Sequence, residues 1–145
     1  MKKNSWLLVA NSSLARIFKI ETIHSLVEID VLEHPESRLH NLDLVSDKPG
    51  RGFESVGGQR HGLENGTTPK QDEFLIFARK LGQYLKTAFQ QKKYENLYIA
   101  ASPTLLGLLR QSLHPSISKI VSAEIDKDMT HLNPHEMINH LPFMA

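Results

Sequence analysis

Trp6-Leu7-Leu8-Val9-Ala10-Asn11-Ser12-Ser13-Leu14-Ala15-Arg16-Ile17-Phe18-Lys19-Ile20 decides the fold. Trp6–Ala10 is a short, unbroken apolar run, the pattern of a strand buried on both faces. Asn11-Ser12-Ser13 is turn material. Ala15–Ile20 is rich in strand formers, and a third run, Leu26-Val27-Glu28-Ile29-Asp30-Val31-Leu32, alternates in part, as a half-exposed strand does. These three runs predict an antiparallel meander.

Working outward, the texture changes at His34. Residues 34–68 carry no sustained apolar period, but hold Pro35, Pro49, six of the eight glycines and many charges. So long an irregular segment in a small domain is usually functional or disordered. Order returns at Thr68-Pro69-Lys70-Gln71, which has the form of a capping box with proline at the first helical position. Phe74, Phe77, Ala78, Leu81, Leu85 and Ala88 then mark one face of a helix of about 22 residues. Leu97–Ala101 reads as a buried strand. Ser102-Pro103 starts a second helix with Leu105, Leu106, Leu108 and Leu109. Ile120–Ile125 is a further strand, and Asn133-Pro134-His135-Glu136 caps a short helix bearing Met137, Ile138 and Leu141.

The order is β-β-β-loop-α-β-α-β-α. Alternating helices and strands in the second half imply parallel strands. The expectation is one α/β domain over residues 1–145, with a ribonuclease-H-like mixed sheet of about five strands flanked by helices.

Composition narrows the chemistry. The chain has 145 residues, 40% hydrophobic and 23% charged, which is globular rather than disordered. It has no cysteine, so disulfides, thiolate nucleophiles and cysteine–zinc sites are excluded. A net charge of +1 supplies no overall pull toward nucleic acid or membrane. The apolar core of the N-terminus is five residues, shorter than a signal peptide needs, and no run approaches the ~20 residues of a membrane span. The expected location is cytoplasmic, with no membrane contact. No motif implies a cofactor.

Four features of the sequence could carry chemistry. In Gly57-Gly58-Gln59 the glycines permit close backbone approach, and the glutamine could place an amide at a reacting carbonyl. Arg38, Lys48, Arg51, Arg60 and His61 are candidates for phosphate contact, Arg51 being presented between two glycines after the Pro49-Gly50 turn. Glu36, Asp43, Asp47, Glu54 and Glu64 dilute that charge. His131, His135 and His140 lie close together, but His135 and His140 are five apart, poor spacing for one helical face, so no metal site is expected. In Glu124–His131 the plain expectation is a strand-to-helix loop with mutually paired charges. The first strand carries no carboxylate, which argues against metal-dependent nuclease chemistry.

The succession Ala10-Asn11…Ala15-Arg16-Ile17-Phe18, Asp47-Lys48-Pro49-Gly50-Arg51-Gly52-Phe53, Ala101-Ser102-Pro103…Leu106-Gly107-Leu108-Leu109-Arg110…Leu113 and Ile125–His131 resembles a bacterial family described as required for attachment to host cells. That family is similar to the middle domain of archaeo-eukaryotic class-one peptide release factors and of the ribosome-rescue protein Pelota. In release factors a Gly-Arg-Gly-Gly-Gln loop enters the peptidyl transferase centre and promotes peptidyl-tRNA hydrolysis. The resemblance implies a module that meets RNA or the ribosome through residues 34–68, with Gln59 positioning water if the module is also a hydrolase. Here Gly50-Arg51-Gly52 and Gly57-Gly58-Gln59 are separated by Phe53-Glu54-Ser55-Val56, a departure from the release-factor loop. A third reading is an interaction module with an unidentified protein partner in attachment or envelope stress.

Overall fold

The computed structural model describes residues 4–34 and 69–142. Its elements are β1 (Ser5–Ala10), β2 (Leu14–Thr22), β3 (Ser25–Glu33), α1 (Pro69–Gln90), β4 (Asn96–Ala101), α2 (Pro103–Ser112), α3 (Pro115–Ser118), β5 (Val121–Ile125) and α4 (Pro134–Asn139). The described strands form one open sheet in the order β3-β2-β1-β4-β5. β1 runs antiparallel to β2 and parallel to β4, with Leu8 facing Ile17 on one side and Ile99 on the other. β2–β3 is antiparallel and β4–β5 parallel. The carboxyl ends of β1, β3, β4 and β5 therefore lie at one end of the sheet.

The apolar run of β1 is explained by its place. Leu7, Leu8 and Val9 are fully buried because both sheet faces are covered. Trp6, Leu8 and Ala10 face α1 and α2, among Phe77, Leu81, Leu85, Leu105 and Leu109. Leu7 and Val9 face Phe18, Ile20 and Leu26, with Met129, Met137 and Leu141 from the C-terminal segment. Full burial of each such side chain contributes about 1.5–3 kcal/mol.

Edges and ends add detail that periodicity does not carry. β3 breaks register between its pairings with Ile17 and Phe18, and Val27, Ile29 and Val31 remain exposed. That bulge changes which side chains face α1, which is why the alternation is only partial. Ser102 starts α2 but makes no side-chain capping bond, whereas Asn133 and Glu136 form the full reciprocal box on α4. α3, a single turn, has no apolar period long enough to be read from sequence.

α1 ends with Lys92 N–H donating to Phe89 O and Lys93 N–H to Ala88 O, while Lys92 takes φ 61°. This is a Schellman ending with lysine where glycine is usual. Gly82 is required for a different reason. A Cβ there would stand 2.9 Å from the Ser112 carbonyl oxygen, so glycine lets α1 and the end of α2 touch. At Gly107 a Cβ would meet nothing within 4 Å.

The two helical glycines should therefore respond oppositely. Gly82→Ala is expected to destabilise by about 1–3 kcal/mol through the backbone clash. Gly107→Ala is expected to stabilise by up to about 1 kcal/mol through helix propensity. Urea denaturation of the two variants checks both signs.

Candidate functional site

The carboxyl end of the sheet is organised by one side chain directly after β1. Asn11 Oδ1 accepts from the backbone N–H groups of Ser13 and Leu14, each at 2.9 Å, turning the chain into β2. Its Nδ2 donates to Asp128 Oδ2 and Thr130 Oγ1, both at 3.1 Å. Asp128 Oδ1 accepts from Thr130 N–H at 2.9 Å and from the Thr130 hydroxyl at 2.7 Å. The segment after β5 is thereby tied to the end of β1. Burial pushes the Asp128 carboxyl up, but the two bonds from Thr130, then the Asn11 amide and the charge of His131, hold it below its ordinary value.

Arg16 on β2 fixes the same segment from beneath. Its Nη1 donates to the carbonyls of Thr130 (2.9 Å) and Leu132 (2.6 Å), its Nε to Glu28 at 2.9 Å, and its guanidinium lies 5.1 Å from the Phe18 ring centroid. A planar fork can hold two carbonyls and a carboxylate at once, as lysine cannot. By contrast, Arg110–Glu124 is an exposed pair at 2.7 Å, worth under about 1 kcal/mol.

Beside this network the chain leaves the described body and returns to it. His34 N–H donates to Ser13 O at 2.9 Å. His34 Nε2 lies 2.7 Å from Glu73 Oε1 in the first turns of α1, and its ring stacks on Phe77 with centroids 5.5 Å apart. Lys80 reaches back to Glu33 O at 3.3 Å. The exit at His34 and the re-entry at Pro69 are thus held at the same end of the sheet.

Gly57, Gly58 and Gln59, and Arg38, Lys48, Arg51, Arg60 and His61, lie outside the described residues. The structure supplies the anchor for their segment. The expectation for Glu124–His131 needs correction. Among the described residues its contacts run mostly outside the segment: Glu124 takes Arg110, Asp128 takes Asn11 as well as Thr130, and Lys127 lies 3.2 Å from His140 Nδ1, while within it the charge of His131 acts on Asp128. Glu124 and Asp128 are each drawn to an element packed against them. Among the described residues no group of three or more His, Cys, Asp or Glu side chains could hold a metal ion, and no helix is long and apolar enough to cross a membrane. The sequence alone does not single out Asn11, Arg16 or the His34–Glu73 contact. The turn-forming Asn11-Ser12-Ser13 is a signal for the first, but the others join residues far apart in the chain.

These features define an α/β sheet whose carboxyl end clasps both ends of a long glycine-rich segment, with Asn11, Arg16, Asp128 and Thr130 holding the body together there. The chain belongs to the family described as protein required for attachment to host cells, which matches residues 6–141. An uncharacterized protein of Rickettsia prowazekii (strain Madrid E) is 34% identical over 109 residues, covering 72% of this chain and 66% of that protein's length.

Asn11→Ala leaves two backbone N–H groups and the Asp128 carboxylate short of a partner. A loss of about 1–3 kcal/mol is expected by urea denaturation. Asp128 also sets a pH dependence. Its folded-state value is lowered from an ordinary 3.8, so its contribution is present above that value and lost as pH falls through the folded-state value. In denaturation curves taken from about pH 6 to pH 2, Asp128→Asn should lose less stability than the wild type over this acid window.

Proposed function

We propose that this chain is a release-factor-like module that binds RNA or the ribosome through residues 34–68, with Arg38, Lys48, Arg51, Arg60 and His61 on phosphates. The observation that carries the reading is the His34–Glu73 contact at 2.7 Å, which fixes both ends of the segment at the carboxyl end of the sheet. A segment anchored at both ends keeps its contact residues near one site and reduces the ordering cost of binding. A ribonuclease-H-like arrangement goes with this reading, and is supported by the order β3-β2-β1-β4-β5 with β1 between an antiparallel and a parallel neighbour. A cytoplasmic location goes with it as well.

At a net charge of +1, attraction has to come from the local cations of the segment. If the module is also a hydrolase, Gly57-Gly58-Gln59 is the element that would act, with Gln59 orienting water and stabilising the developing oxyanion.

Co-sedimentation with purified ribosomes tests the proposal. The wild type should pellet with ribosomes at low salt. Replacing Lys48, Arg51 and Arg60 together by alanine should weaken binding at least about ten-fold. The salt dependence should flatten by roughly one unit of slope for each phosphate left without its cation. Gly58→Ala should leave sedimentation intact and abolish any hydrolysis of peptidyl-tRNA. Absence of binding to ribosomes and to RNA at low salt, with envelope proteins captured instead, would reject the reading in favour of a protein-interaction role.

A further inference from the structure

At the opposite end of the sheet lies an open groove of about 560 Å³, lined by Phe89, Gln90, Lys92, Tyr94, Glu95, His114 and Ser116. This is within the range of small-ligand sites. One wall is aromatic: the Phe89 and Tyr94 rings lie 5.5 Å apart, and Tyr94 is locked from behind by its hydroxyl bond to Leu85 O at 2.6 Å. The other features are polar. Lys92 is held at φ 61°, a conformation that favours glycine, yet the chain keeps a long cationic side chain there. That side chain has no hydrogen bond or ion pair among the described residues. His114 Nδ1 accepts from Ser116 N–H at 3.1 Å, which in the neutral ring leaves the proton on Nε2 as a donor. Glu95 and Gln90 add acceptors on the same rim.

We infer that this groove binds a nucleoside phosphate. Lys92 and His114 Nε2 face the phosphate, the base lies against the Phe89 wall, and Glu95 and Gln90 accept from sugar hydroxyls or an exocyclic amine. An aromatic face, a cation with no partner among the described residues and acceptors for hydroxyls in one groove match that ligand's three parts; inorganic phosphate would use only Lys92 and His114. The same chemistry is offered by a free mononucleotide and by the phosphorylated end of an RNA. The inference stands apart from residues 34–68, since the groove is built from the end of α1 and the turns before β4 and α3.

Trp6, the single tryptophan, stacks on Tyr94 at 4.6 Å and reports on the groove. The full chain is titrated with adenosine 5′-monophosphate, with inorganic phosphate, and with a short single-stranded RNA with and without a 5′-phosphate, following Trp6 emission and calorimetry. Saturable binding of the mononucleotide identifies a free nucleotide site, and binding confined to 5′-phosphorylated RNA identifies an RNA-end site. In either case Lys92→Gly and His114→Ala should each weaken binding at least about ten-fold. Lys92→Gly should do so while its melting temperature rises, which separates a binding defect from a folding defect. No binding by any nucleotide probe at millimolar concentration, phosphate binding as tight as the mononucleotide, or affinity unchanged in both variants would overturn the inference.

Discussion

The structure depends on the burial of β1 from both sides. Leu7, Leu8 and Val9 have no exposure, and each faces a different layer from its neighbour. A strand in that position needs a hydrogen-bonded partner along each edge and an apolar cover over each face. The β2–β3 meander and the β4–β5 pair meet the first need. α1 and α2 over one face, and the C-terminal segment over the other, meet the second. Removing either cover would leave several fully buried aliphatic side chains in water, at about 1.5–3 kcal/mol each.

The same constraint organises the carboxyl end of the sheet. Because β1, β3, β4 and β5 all end together, the turn after β1, the exit from β3 and the start of α1 meet there, and the segment after β5 crosses between them. Asn11 and Arg16 hold that crossing, and His34 and Glu73 hold the exit against the return. Asn11, Arg16, Asp128, Thr130, His34 and Glu73 are engaged in these bonds, so this end of the described body acts as a clasp.

Much of the fold is legible in the sequence, because the decisive signals are local. Trp6–Ala10 has no polar break, α1 repeats its apolar residues along its whole length, and Asn133 and Glu136 have the spacing of a reciprocal cap. What escapes has no local signal. The bulge in β3 shows only as imperfect alternation. Lys92 occupies a position that sequence rules reserve for glycine. Asn11 meets Asp128 across 117 residues and His34 meets Glu73 across 39, pairings that only the folded chain brings together. The charges of Glu124–His131 read as a mutually paired set because they are neighbours in sequence. In the fold they are divided among α2, β1 and α4.

The central claim is that the body presents residues 34–68 as its contact surface for RNA or the ribosome. Photo-crosslinking of the purified chain to ribosomes at low salt, with the crosslinked residues mapped by mass spectrometry, tests it most directly. Crosslinks concentrated at Arg38, Lys48, Arg51, Arg60 and their neighbours are the expected result. Crosslinks confined to the helices and sheet, or none at all, would contradict it.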